Sequence, residues 1–383
     1  MQSGRAPRRV PEHRAGRGRR PGPGVWLAAG VAVVLAAAGI VAFTRGDGAE
    51  PTRTSRNPTT APVAERPAPT TSPPAARITL AFAGDVHFAE RTATRLAADP
   101  ATAFGDAAPA LRAADLTMVN LETAVTERGS PEPKEFHFRT PATAFAALRA
   151  AGVDVATMAN NHAADYGSVG LTDTLTAIRS TGFPTIGIGA DAARAYAPYL
   201  VTVRGHRVAL LAASQIRDRT LTAWSAGAAS AGIASAYDDR LVAAVRAARA
   251  RAEIVVVYLH WGVEGQGCPS GDQRALAARL AAAGADAVVG THAHLLLGAG
   301  WLGPAYVAYG LGNYLWWRNS AYSDDTGVLR LTFAGRRVVA AALAPARIDT
   351  RGVPVPATGD TAARIQRKWA DLVGCTGLAA RPG

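Results

Sequence analysis

Cysteine is scarce in this chain of 383 residues: only Cys268 and Cys375 are present. That excludes a mini-protein built on disulfides and a zinc module ligated by cysteines. Charged residues make up 18% of the chain and apolar residues 49%, which is too apolar for a disordered chain and ample for a core. Lysine is almost missing from the region after residue 76, where it occurs only at Lys134 and Lys368. No internal repeat is present. There is no nucleic-acid recognition motif either, although the formal net charge of +12 first suggests such a partner.

The position of the charge answers that suggestion. Residues 1–23 carry seven arginines (Arg5, Arg8, Arg9, Arg14, Arg17, Arg19, Arg20) and one acid, Glu12. Residues 24–43, GVWLAAGVAVVLAAAGIVAF, carry none. A helix of that length, at about 1.5 Å per residue, spans the roughly 30 Å hydrocarbon layer. Arginines before the span and few after it predict a cytoplasmic N-terminus. The run reads as a retained transmembrane anchor. The competing reading is a cleavable signal peptide with Ala36-Ala37-Ala38 as a loose cleavage signal, for which the run is long. No cysteine follows to carry a lipid, and neither Arg8-Arg9 nor Arg19-Arg20 stands close enough to an apolar stretch for a twin-arginine signal. Residues 44–76 hold seven prolines among Thr, Ala and Ser, the composition of an extended linker without a core.

Residues 77–383 then form the working domain, with 30 Lys+Arg against 25 Asp+Glu, a charge of +5. The basic N-terminus lies across the span from this domain, so no nucleic-acid partner is expected. Short apolar runs predict strands at 77–84, 116–121, 153–158, 208–213, 253–259, 287–290 and 306–310. Ala/Arg-rich stretches predict helices in 88–113, 141–151, 168–181, 238–251 and 272–284. This alternation points to an α/β layered fold. Residues 327–348 read as a late hairpin, and 361–373 as a closing helix.

The chemistry gathers at strand ends. Asp85 and His87 follow the first run in AFAGDVH, and Glu122 follows the second in VNLE. Asn160, Asn161 and His162 follow the third in MANNH. His260 follows EIVVVYL, and His292 and His294 follow DAVVG. Ligand sites in open α/β sheets form at the carboxyl ends of strands, so these side chains are expected to converge. Imidazole, carboxylate and amide oxygen together suit a first-row divalent metal such as Mn, Fe, Zn or Co. One shared carboxylate lets two such ions sit about 3.5–4 Å apart, clamp a phosphoryl group and activate water. A histidine beside the ligands, such as His162, suits a general acid.

The ordered set GDVH, NLE, NNHAADYG, HWGVE, GTHAH and LGNY resembles the CapA-type family of bacterial poly-γ-glutamate capsule proteins, over about residues 78–350. That family is itself similar to the calcineurin-like metallophosphoesterases. The resemblance implies a four-layer αββα sandwich. It implies that Asp85, His87 and His294 hold one metal, that Asn161, His260 and His292 hold the other, and that Glu122 bridges them. It also implies His162 as proton donor. Two positions depart from the phosphoesterase pattern. Glu122 stands in NLE where those enzymes place Asp, and Asn160 stands for the Gly of GNH. The extra methylene moves the carboxylate by about 1.3–1.5 Å, which supports the capsule subfamily and weakens transfer of the reaction.

The implied protein is a membrane-anchored, extracytoplasmic metal-dependent hydrolase of capsule or envelope-polymer synthesis. It would act on an anionic polymer or phosphoester beside other capsule-synthesis membrane proteins. The alternative is a polymer-binding or export subunit without hydrolysis. Several residues keep two readings. Asp165 either steadies His162 or belongs to a plain turn. Trp261 and Glu264 either orient His260 or serve packing and solvation. Arg139 either forks onto a substrate carboxylate or phosphate or is a solvated surface residue. By family analogy Asn313 lies near the site, free to hold a ligand or substrate. Outside the cytoplasm an even pair of cysteines favours a Cys268–Cys375 bridge over two buried thiols.

Overall fold

A computed structural model describes residues 77–382. The expected anchor at 24–43 and linker at 44–76 lie outside the described residues. Among the described residues no helix is long and apolar enough to cross a membrane.

Two sheets carry the domain. The first contains β1 (Arg77–Val86), β2 (Leu116–Leu121), β3 (Val155–Thr157) and β4 (Thr185–Ile186). The second contains β5 (Tyr199–Val203), β6 (His206–Ser214), β7 (Ile254–Trp261), β8 (Ala287–His292), β9 (Ala299–Leu302) and β10 (Ala305–Ala308). The chain then returns to the first sheet with β11 (Asn313–Leu315), β12 (Asp325–Ala334), β13 (Arg337–Ile348) and β14 (Pro354–Pro356). The strand orders are β14-β13-β12-β1-β2-β3-β4 and β9-β10-β8-β7-β6-β5, with β11 paired to the end of β1. β1, β2 and β3 run parallel, as do β6, β7, β8 and β10.

Strict alternation along the strands builds the layers. Ile78, Leu80 and Phe82 of β1 join Val256 and Tyr258 of β7 and Val289 of β8 in one apolar layer between the sheets. The intervening Ala81 and Ala83 face outward to α1 (Glu90–Ala98), α2 (Ala108–Leu111), α3 (Thr143–Ala151) and α4 (Gly167–Thr181), through Leu96, Leu111, Phe145 and Leu171. α5 (Ala192–Ala195) and α6 (Arg219–Trp224) follow in the chain. Val255, Val257 and Leu259 of β7 face outward to α7 (Arg240–Arg249) and α8 (Gly271–Ala283), through Leu241, Val245, Leu276 and Leu280. In section the domain is helix, sheet, sheet, helix. Each fully buried Leu, Ile, Val or Phe contributes about 1.5–3 kcal/mol, so the inter-sheet layer and the two helix-facing layers all stabilise the domain. The Tyr258 hydroxyl also donates to the Ala83 carbonyl at 2.5 Å, tying the sheets one residue before the turn that carries Asp85.

The late hairpin is present as β12 and β13, and the closing helix is α9 (Gly359–Asp371). The stretch 88–113 is not one helix. Asp99 caps a 3-10 turn at Pro100–Thr102, Gly105 takes φ +49° at the start of a second one, and only two α-helical pieces, α1 and α2, flank them. Proline and positive-φ glycine both break a helical ladder. β5 was absent from the expected strands because its residues alternate between half-buried and exposed at a sheet edge. Cys268 and Cys375 are joined in a disulfide that closes 107 residues.

Candidate metal centre

The close approach of β1 to the turn before β11 fixes the first ligand position. A Cβ built on Gly84 would stand 1.9 Å from the Gly312 carbonyl oxygen, so only glycine fits before Asp85. Asp85 then pairs in register with Asn313 on β11 and Asn120 on β2. It is fully buried. Asn120 Nδ2 donates to its Oδ1 at 2.8 Å, and the His292 amide to its Oδ2 at 3.3 Å. His294 Nδ1 stands 3.3 Å from Oδ2, in ion-pair range but off the line of a hydrogen bond.

Glu122 ends β2. Both its oxygens are buried and lack any hydrogen-bond partner among the described residues. His260, from β7, points Nε2 at Glu122 Oε1 over 3.4 Å. The same Nε2 lies 2.7 Å from Asn161 Oδ1 and 3.1 Å from His292 Nδ1. Four donor atoms from four segments thus converge on one point. Two sets of three side chains offer ligand atoms within 4.8 Å of one another: Asp85, Glu122 and His260, and Glu122, His292 and His294. Glu122 belongs to both, the placement expected of a bridging carboxylate.

His292 and His294 adopt φ +88° and +58°. Left-handed backbone at a residue with a Cβ costs about 1–3 kcal/mol each and gathers at functional sites. Here it turns two imidazoles toward Asp85 and Glu122.

Burial sets the charges. It pushes Glu122 well above the usual carboxylate range, and the Asp85 charge adds to that. Asp85 resists the same burial, because His294, His260 and Asn120 hold it well below its usual range. Burial lowers His260 to about 4 and holds His292 well below the ordinary histidine value. Burial also works against protonated His294, but the Asp85 and Glu122 carboxylates outweigh it and raise the group to about 9.

A divalent cation fits these residues. A carboxyl group buried without a partner is expensive, and here it faces the imidazole of His260 with the Asn161 amide oxygen close by. The donors Asp85, Glu122, Asn161, His260, His292 and His294 would hold the ion. Without it, His294 keeps its proton at neutral pH, and burial favours the protonated form of Glu122. A cation needs their lone pairs, so binding must expel protons and tighten as pH rises. Affinity is expected to increase as pH rises towards about 9, where His294 gives up its proton, by about one decade per pH unit for that proton. Calorimetry in buffers of different ionisation enthalpy checks this, and a heat independent of buffer would refute it.

His87 falls outside both donor sets. Its Nε2 accepts from the Trp317 amide at 3.1 Å, and its buried Nδ1 has no hydrogen-bond partner among the described residues. Its ring stacks on Trp316, which also packs on His294. Burial and nearby His162 keep it well below the usual histidine range, so it stands neutral.

His162 faces the pocket from the other side, with Nε2 3.9 Å from Glu122 Oε1. Its Nδ1 meets Asp165 Oδ2 at 2.7 Å, so Asp165 does steady it. Burial and Lys134 hold His162 well below its usual range. Burial raises Asp165 to about 6 against the pull of Lys134. Lys134 Nζ donates to Asp165 Oδ1 at 2.7 Å and to the Asn161 carbonyl at 2.5 Å. Asn160 explains its own departure from glycine. Its Nδ2 donates to Asn120 Oδ1 and the Leu121 carbonyl, and its Oδ1 accepts from the His162 amide. It therefore braces the NNH turn against the end of β2.

Other expected residues divide. Asn313 is buried beside Asp85 with an unpartnered Oδ1. Glu264 is exposed, 4.0 Å from His294 Nε2. Trp261 is a packing residue: its indole donates to the Tyr309 carbonyl and its ring stacks on Tyr309. Arg139 is exposed and lies over the Tyr166 ring at 4.7 Å, with no contact to the cluster. Sequence reasoning missed Asn120, Lys134 and Thr291, whose hydroxyl lies 3.1 Å from His260 Nδ1. A polar residue inside the apolar run LTMVNL was the available signal for Asn120. Nothing comparable marks the other two.

These features define a mixed α/β domain that presents a buried carboxylate–imidazole pocket at the strand ends of two facing sheets. The profile of the family described as bacterial capsule synthesis protein PGA_cap matches residues 79–316, and the chain belongs to that family. It is 28% identical to the PGA biosynthesis protein CapA of Bacillus subtilis over 261 residues, 66% of this chain and 67% of that protein. It is 34% identical over 226 residues to a probable polyglutamine synthesis accessory protein of Mycobacterium tuberculosis, covering 55% and 59%. The match thus spans about two thirds of these relatives' length or less. A solved NAD nucleotidase of Haemophilus influenzae overlaps 81% of this chain and 65% of its own, with TM-score 0.42 and 14% identity. A likeness of that size bears on neither reaction nor substrate.

Proposed function

We propose that this protein is an accessory factor in the synthesis of a capsule polymer of the poly-γ-glutamate type. In this reading residues 24–43 anchor it in the cytoplasmic membrane, 1–23 stay inside, and 44–76 space the domain from the outer surface. The pocket holds two divalent ions, and the layered fold is a calcineurin-like metallophosphoesterase variant that hydrolyses or transfers phosphoester-like groups. Partners are an anionic envelope polymer and other capsule-synthesis membrane proteins. The observation that supports the metal site best is Glu122, buried, unpartnered and shared by both donor sets. Bound there, the metal would supply charge for a phosphoryl oxygen and acidify a water. Asn120 and Asn160 keep Asp85 and the NNH turn in place, and Asp165 holds the proton of His162 on Nδ1, leaving Nε2 free to take one.

Elemental analysis of the full-length protein is expected to find about two ions per chain, and bis-p-nitrophenyl phosphate is expected to turn over. Absence of metal, with no loss of stability on chelation, would overturn the reading. The longer Glu122 arm at the bridging position favours a second reading, a metal-bearing subunit that binds polymer without cleaving it. Full metal content without turnover of any phosphodiester would select it.

A further inference from the structure

We infer that a groove beside His292 is a binding subsite for an amino-acid-type group, one that carries both a carboxylate and a free ammonium. A cavity of about 480 Å³ opens there, between the segment after β6 and the loop that runs from β7 to α8. On one wall the Arg217 guanidinium lies 4.0 Å from the centre of the Tyr237 ring. The Tyr237 hydroxyl donates to the Gln215 carbonyl at 3.0 Å, so the ring that supports Arg217 is itself pinned. Among the described residues Arg217 pairs with no carboxylate. The lining also includes Glu264 and Asp272. Among the described residues the ion-pair partner of Glu264 is His294, at 4.0 Å. Its loop is clamped by the Gly265 amide on the Ala293 carbonyl and by the Cys268–Cys375 bridge.

One guanidinium and two carboxylates therefore face a common space, none neutralised by another. The two acids disfavour a phosphate dianion and any ligand that is only anionic. They suit an ammonium, while a planar guanidinium forks onto a carboxylate. A ligand with both groups satisfies the whole lining. The aromatic support and the clamped loop hold the walls in place beforehand, which lowers the ordering cost of binding. His292 lines this groove and also belongs to a metal donor set. An amino-acid unit seated here would present its neighbouring bond to that cluster. This last step rests on the proposed metal site; binding itself does not.

The test titrates full-length protein with γ-glutamylglutamate and with its N-acetyl form, which lacks the ammonium, and measures metal in the same preparation. The free peptide should bind at least about tenfold more tightly than the acetylated one. Arg217→Ala, and Arg217→Lys as the milder variant, should weaken both ligands. The double variant Glu264→Gln, Asp272→Asn should bring the two ligands to within about twofold of each other. Thermal melts confirm folding of each variant. No peptide binding, or equal binding of both forms to the unaltered protein, would each overturn the subsite. Metal without peptide binding leaves the metal reading standing and removes this one; peptide binding without metal does the reverse.

Discussion

Replacing Glu122 with alanine is expected to strip the protein of its metal. Zinc sites with four protein ligands bind with about 10–16 kcal/mol, or about 3–4 kcal/mol for each ligand. Loss of one ligand then weakens binding a few hundred-fold, by roughly 1.4 kcal/mol per decade. Glu122 is the one side chain common to both donor sets, so both positions should empty together. Metal-free stability should change little. The buried carboxyl has no hydrogen-bond partner to lose, and Glu122→Gln keeps its volume. Once chelated, the unaltered protein and Glu122→Gln should melt alike. With metal in hundredfold excess over Kd the unaltered protein alone should gain about 2.7 kcal/mol. Elemental analysis after dialysis, with melts with and without chelator, checks both points. Full metal retention in Glu122→Ala would show that the carboxylate is not a ligand.

His162→Ala should do the opposite, keeping the metal while slowing hydrolysis. His162 lies in neither donor set, and its Nε2 is the nitrogen that faces Glu122, with Nδ1 committed to Asp165. A positioned proton carrier contributes about 10²–10⁴-fold to rate, and that is the expected drop in kcat. KM should move less, since His162 lies outside both sets of donor side chains. The ring packs on Phe138, and neither partner carries a strand. Loss of metal along with activity would make His162 a ligand and end its assignment to proton transfer.

The strands were legible because buried β-runs such as VVVYL need little context. The motif order placed Asp85, Glu122, Asn161, His260, His292 and His294 at strand ends, and the structure brings these six together. What escaped depends on contacts between distant segments. Lys134 reaches Asp165 and Asn161 from a loop without regular structure, and a lone lysine in a loop has no pattern to betray it. The family resemblance implied His87 among the ligands, and it lies outside both donor sets. Spacing cannot say that the Trp317 amide, 230 residues away, donates to its Nε2. The break in the helix after residue 98 was visible as Pro100, but alanine-rich flanks outweighed it. Glu264 stood in the HWGVE motif, but nothing in the sequence joined it to Arg217, since the two meet only through the order of β6, β7 and β8.

The backbone at His292 and His294 carries a further consequence. Glycine would adopt both left-handed positions at less strain, so selection for stability alone would have favoured it there. A relative that has lost its catalytic or binding task is under no pressure to keep imidazoles at such unfavourable angles. Those two positions should therefore decay first. Reading them in any homologous chain offers a quick way to tell working members of the family from retired ones.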